Sequence, residues 1–129
     1  MPNSNPVCLV VDDTIMDRRM MSRILEQQYP EPRIVTAATI AEARFALNRE
    51  DVALLFLDNR LPDGLGADFL AEFSRNAAWR RVPVIMVSDW PSPFMFDKAR
   101  AANVLAIWSK DDFNYDRVRR IFRTHARLH

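Results

Sequence analysis

The sequence predicts an α/β domain of the doubly wound type, a five-stranded parallel sheet with helices on both faces. Three observations carry that expectation. Short apolar runs recur at near-regular intervals, helical patterns stand between them, and three of the runs are apolar throughout rather than alternating. Strands covered on both faces read that way, whereas a strand with one wet face alternates. Repeated strand–helix alternation closes most simply as right-handed crossovers into one three-layer domain, and 129 residues suffice for one core but not two.

The apolar runs are VCLVV at Val7–Val11, RIVTA at Arg33–Ala37, ALLFL at Ala53–Leu57, PVIMV at Pro83–Val87 and VLAIW at Val104–Trp108. RIVTA is the most polar and suits a sheet edge. Met20, Met21, Ile24 and Leu25 form a helical stripe after the first run. Thr39 and Glu42 read as a capping box that opens a second helix toward Ala43 and Leu47. A third helix is expected over Ala67–Ala77. Ser92 before Pro93 places a capping residue ahead of a proline at the first position of a fourth. Val118, Ile121, Phe122 and His125 space the last helix. These stripes are expected in the core, not around a cofactor.

Composition excludes several classes. With 18 Lys and Arg against 17 Asp and Glu, no global field selects nucleic acid or an anionic membrane. The lone Cys8 offers neither an internal disulfide nor a zinc spacing, and reads as a small buried hydrophobe in a reducing compartment. The opening MPNSNP has no leader pattern, and no apolar run approaches the roughly 18 residues of a membrane span, so a cytoplasmic protein is expected. Only Gly64 and Gly66 occur, which rules out the common glycine-rich phosphate loops.

Chemistry is expected at the carboxyl ends of the strands, where open parallel sheets bind ligands. Asp12 and Asp13 follow the first run, Asp58 the third, Ser88 the fourth and Lys110 the fifth. If the first and third strands are neighbours, three carboxylates converge, and like charges that close require a compensating cation. Magnesium suits a few hard oxygen ligands with retained waters, and no His or Cys cluster competes for a softer metal. A hydroxyl and an ammonium complete what phosphoryl transfer needs, with Asp58 as nucleophile forming an acyl phosphate and Lys110 neutralising charge. Each residue alone has a structural reading: Asp13 as a helix cap, Asp58 opening the turn through Pro62, Asp63 and Gly64, Ser88 ending a strand, Lys110 solvated. Their order and common position make the joint reading the stronger one.

With VVDD, LDNRLPDGLG, VPVIMVSD and the Ser109-Lys110 pair in this order and spacing, the sequence resembles the receiver domains of two-component response regulators from about Val7 to about Ala126. The resemblance implies a flavodoxin-like (βα)5 fold with strand order 2-1-3-4-5 and a single receiver domain over 1–129. It implies that Asp58 is the phosphoacceptor, supplied by a sensor histidine kinase or histidine phosphotransfer protein. Asp12, Asp13, Asp58 and the backbone carbonyl of Arg60 would hold Mg2+, or Mn2+ in its place, while Ser88 and Lys110 contact the phosphoryl oxygens. Phosphorylation would then reshape the face of the fourth helix, fifth strand and fifth helix for a downstream protein partner, the chain being a monomer or a phosphorylation-dependent dimer. Such a domain takes part in its own phosphoryl transfer and is not a turnover enzyme on a small substrate.

Several positions depart from the family pattern. Asp89 stands where a small residue is usual and adds an anion beside the phosphoryl position. Asp111 replaces a proline after Lys110, Ile107 replaces the switching aromatic with Trp108 beside it, and Asn103 replaces a glycine whose left-handed backbone asparagine tolerates. Arg60 and Trp90 occupy the two flanking positions expected to modulate acyl phosphate lifetime. Two surfaces are candidate outputs. In Trp90 to Phe96 about half of the residues are expected in the core. On the last helix, Arg117, Arg119, Arg120, Arg123 and Arg127 are expected to form a solvated face, ahead of an acidic partner and then of nucleic acid. The alternative function is a pseudo-receiver that binds a partner without phosphorylation. A phosphohydrolase of the haloacid dehalogenase type is disfavoured, because Asp12-Asp13-Thr14 lacks that family's D-x-D spacing.

Overall fold

The computed structural model describes residues 5–100 and 102–125. Strands β1 (Val7–Val11), β2 (Arg33–Ala37), β3 (Val52–Leu57), β4 (Val84–Ser88) and β5 (Val104–Ser109) form one sheet in the order β2-β1-β3-β4-β5. Every pairing in it is parallel. Helices α1 (Ile15–Glu26), α2 (Ile40–Arg49), α3 (Gly66–Arg75), α4 (Pro93–Ala99) and α5 (Tyr115–Thr124) alternate with the strands. The sequence expectation of a doubly wound sheet in the order 2-1-3-4-5 therefore describes the fold. The polar run β2 lies at one edge, where only one strand pairs with it.

Successive strand residues point to opposite faces, and the core divides accordingly. Leu9, Val11, Leu55, Leu57 and Met86 pack with Ala43, Leu47, Leu70, Phe73 and Met95 under α2, α3 and α4. Their neighbours Cys8, Val10, Leu54, Phe56, Ile85 and Val87 pack with Met21, Leu25, Val118 and Phe122 under α1 and α5. This double burial is why β1, β3 and β4 tolerate no polar interruption before their ends. Cys8 is fully buried and its thiol is pushed up to about 12 by desolvation, leaving it inert as expected.

Local chemistry sets the helix starts. Thr14, not Asp13, caps α1 by accepting from the Asp17 N–H, because the threonine hydroxyl sits one residue before the first helical position. Thr39 accepts from the Glu42 N–H as expected, while Glu42 reaches back to the Ala38 N–H. At α4, Pro93 holds the first position but the Ser92 side chain makes no cap bond.

The structure also differs from the sequence reading elsewhere. A short antiparallel ribbon, Arg60–Leu61 with Gly64–Leu65, and a 3-10 turn, Lys110–Asp112, are too brief to leave a periodic signal. The third helix runs over Gly66–Arg75 rather than 67–77, and His125 ends the last helix instead of lying inside it. No non-glycine residue among those described has positive φ, so Asn103 does not use the left-handed conformation; its amide donates to the Arg81 carbonyl instead. Trp90, Phe94 and Phe96 are exposed and, of the aromatic segment, only Met95 is fully buried. A seven-residue helix has one narrow inward stripe, and Met95 and Ala99 fill it. On α5, Arg117, Arg120 and Arg123 are exposed, whereas Arg119 is half-buried and donates to the Tyr29 carbonyl. Arg127 and the Ala126 boundary lie outside the described residues. No helix among those described is long and apolar enough to cross a membrane.

Candidate functional site

The parallel pairing of β1 with β3 carries Asp12 and Asp58 to the same end of the sheet. Their backbones are fixed there: the Asp58 N–H donates to the Val11 carbonyl (2.9 Å) and the Asp12 N–H to the Ala37 carbonyl (3.0 Å). Asp12 is fully buried and Asp58 almost so, while Asp13 is exposed. Carboxylate oxygens of Asp12, Asp13 and Asp58 lie within 4.8 Å of one another. The cleft between Asp13, Asp58 and Lys110, about 300 Å³, is also lined by Thr14, Asn59, Arg60, Ser88, Asp89 and Trp90, with Asp12 buried beneath it. Grooves beside α4 and along α1 gather no such cluster of acids.

Further bonds hold the loop that follows Asp58. The Asn59 N–H donates to Asp58 Oδ1 (2.8 Å), Asn59 Oδ1 accepts from the Ala67 N–H, and the Gly66 N–H donates to the Asn59 carbonyl (2.7 Å). Gly66 allows this closeness, since a Cβ there would stand 2.1 Å from the Asp58 carbonyl oxygen. Farther along the loop, Asp63 accepts from the Ile40 and Ala41 N–H groups at the start of α2. Those bonds hold its carboxyl below the usual range.

Lys110, buried at the end of β5, reaches across the cleft. Its Nζ lies 2.6 Å from Asp17 Oδ2, 2.8 Å from Asp12 Oδ2, 3.6 Å from Asp58 Oδ2 and 3.8 Å from Asp89 Oδ2. At 2.8 Å the Lys110 ammonium is the partner of Asp12 Oδ2, a buried carboxylate oxygen with no other donor near it among the described residues. Burial opposes the lysine's charge; the contacts with Asp12 and Asp17 and the field of Asp58 outweigh it and push its pKa up. Asp58 is pushed up to about 6, first by desolvation and next by the Asp12 charge, with Lys110 and the Asn59 N–H opposing.

The donor set suits a hard divalent cation. Three carboxylates at this spacing provide oxygen ligands alone, and the single Lys110 ammonium beside them does not balance their combined negative charge. The structure thus brings together Asp12, Asp13, Asp58, Ser88 and Lys110 as the sequence positions them. It also sets Arg60, Asp89 and Trp90 on the rim, all three exposed. Asp111 in place of proline does not divert the lysine from the cleft. Sequence reasoning missed Asp17, whose one signal was the Thr14-x-x-Asp17 capping spacing.

A 2-1-3-4-5 parallel sheet with buried acids at the ends of its first and third strands and a lysine at the end of its fifth defines the architecture of signal-receiving α/β domains. The family model described as the response regulator receiver domain matches residues 8–121, and the chain belongs to that family. Among curated proteins it is similar to two-component response regulator ORR3 of Oryza sativa subsp. indica, 30% identical over 92 residues that span 71% of this chain and 70% of that one. ORR12 of Oryza sativa subsp. japonica is 33% identical over 87 residues, 67% of this chain and 70% of that one. Among solved structures, a CheY-like receiver domain protein from Methanospirillum hungatei superposes with a TM-score of 0.80 at 24% identity, covering 96% of both chains. The Mn2+-bound form of response regulator Rcp1 superposes at 0.76 and 22% identity, covering 92% of this chain and 93% of that one. Receiver domains bind divalent metal at this acidic pocket, and response regulators in general are partnered by histidine kinases or phosphotransfer proteins.

Proposed function

We propose that the chain accepts a phosphoryl group on Asp58 from a histidine kinase or histidine phosphotransfer protein, in a Mg2+-dependent reaction. The observation that carries this reading is the convergence of Asp12, Asp13 and Asp58 with the buried Lys110 in one cleft. An Asp58 carboxylate oxygen attacks the phosphorus of a phosphohistidine. The new P–O bond forms as the P–N bond breaks, and the electron pair leaves with the imidazole. Asp12, Asp13, Asp58 and the Arg60 carbonyl would hold the cation, which supplies charge neutralisation for the transferring group. Lys110 offers its ammonium, and Ser88, whose Oγ accepts the Trp90 N–H at 3.3 Å, offers its hydroxyl hydrogen to a phosphoryl oxygen. Arg60 and Trp90 on the rim limit water access to the acyl phosphate.

Signalling then proceeds by binding. The added charge draws on Ser88, which ends β4, and Lys110, which directly follows β5, and changes the face built from α4, β5 and α5. Acetyl phosphate with Mg2+ tests the reaction by intact mass: the wild type gains one phosphoryl group and Asp58→Asn gains none. A wild type that stays unmodified with acetyl phosphate and with candidate kinases overturns the proposal. The second reading, a binding module independent of phosphorylation, is favoured by the hold of Asp17 and Asp89 on Lys110, and predicts equal partner binding by wild type and Asp58→Asn.

A further inference from the structure

Lys110 is nearest to a residue that the proposed reaction does not use. Its ammonium donates to Asp17 Oδ2 at 2.6 Å, one ångström closer than its 3.6 Å approach to Asp58 Oδ2. Asp17 is on the first turn of α1, not at a strand end, and it is not one of the three acids that could share a cation. It is also held in place: Thr14 Oγ1 donates to the same Oδ2 at 2.8 Å, and the Asp17 N–H returns to Thr14 Oγ1. This reciprocal cap ties the carboxylate to the helix start, although the same Thr14 hydroxyl also lies 3.2 Å from Asp12 Oδ1.

We infer that Asp17 is a positioning residue that detains Lys110 away from Asp58 and slows phosphoryl gain until the ammonium is released. The inference rests on the reading of Asp58 as phosphoacceptor. An ammonium has three hydrogens and one location. Neutralising the equatorial oxygens of a group arriving at Asp58 requires it to turn from Asp17, and the two anions therefore compete for one cation. Asp89, at 3.8 Å and mostly exposed, adds a weaker pull in the same sense.

The test compares wild type, Asp17→Asn and Asp17→Glu with acetyl phosphate and Mg2+, following Asp58 modification by intact mass. Asparagine keeps the bond to Thr14 and removes the charge; glutamate keeps the charge. The expected result is roughly fivefold faster modification of Asp17→Asn, near the upper worth of a partly exposed ion pair, with Asp17→Glu close to wild type. The 15N-detected Lys110 ammonium resonance, read without any phosphodonor, is expected to shift in Asp17→Asn and to be retained in Asp17→Glu. Equal rates in all three proteins, equal acceleration by both variants, or an unchanged Lys110 resonance in Asp17→Asn would each overturn the inference. If no protein is modified, the phosphoacceptor reading and the rate claim fall together, while the resonance separately decides whether Asp17 holds the lysine.

Discussion

The two halves of the cleft are built differently. On the β1 and β3 side each acid follows a fully buried strand, its backbone is bonded to the neighbouring strand, and its side chain or the next residue is bonded again within the loop. On the β4 and β5 side, Ser88 has one long bond to the Trp90 N–H, Asp89 and Trp90 face solvent, and α4 begins without a side-chain cap. Lys110 belongs to this second half by sequence, yet every ion pair it makes except that with Asp89 is to the first. The difference separates two tasks: holding a fixed array of negative charge, and reporting a change in it. A cation and a phosphoryl group need a preorganised first half; a readout needs a second half with few bonds to break.

The largest expected break in this arrangement is Lys110→Met, which removes the cation that, among the described residues, joins the halves. Asp12 and Asp58 would be left buried without their counter-charge, a loss of about 3–5 kcal/mol of stability at pH 8 in EDTA. Urea unfolding would measure it, and Mg2+ should restore part of it. The loss should shrink toward pH 5 as Asp58 takes up a proton.

Removing a charge from the first half has the opposite sign. Asp58 has a folded value of about 6 against its ordinary 3.8, so the fold favours its protonated form. That contribution is full below about pH 4 and is lost as pH rises through about 6. In EDTA at pH 7.5, Asp58→Asn should therefore be more stable than wild type by up to about 3 kcal/mol, with the advantage gone near pH 4. Melting curves across this range check the sign, and Mg2+ should narrow the gap by stabilising the wild type alone.

Gly66→Ala probes the backbone of the same half. The new methyl would meet the Asp58 carbonyl oxygen at 2.1 Å, and backbone can yield only by moving the acid itself. The expected cost is about 1–3 kcal/mol. Weaker Mg2+ binding by titration should accompany it, which a defect remote from the site would not produce.

How much of this was legible follows the same division. Buried parallel strands write themselves as unbroken apolar runs, so the sheet and the acids that terminate it could be read directly, as could Ser88 one residue and Lys110 two residues beyond their runs. Asp17 could not, because its contact with Lys110 joins positions 93 residues apart through a long side chain whose direction no local pattern fixes. The capping spacing at Thr14 announced a helix start and nothing about the lysine. The exposure of α4 was equally hidden: in seven residues, Phe94, Met95 and Phe96 are chemically alike, and only the position of the sheet selects Met95.

The smallest expected effect tests the second half at that point. Trp90 and Phe94 are 84% and 76% exposed, so Trp90→Ser and Phe94→Ser remove little area that folding had buried. Each should change the stability of the unphosphorylated protein by no more than about 0.5 kcal/mol. Met95→Ala, in the adjacent position but 1% exposed, should cost about 2–5 kcal/mol. Thermal melts of the three variants at one pH decide the matter. A large loss from either serine variant would mean that the aromatic segment is packed as firmly as the acid loop, and the contrast between a fixed half and a lightly bonded half would fail. Near-identity with wild type would leave these aromatic rings as surface that folding does not need, beside the one part of the cleft with few bonds of its own.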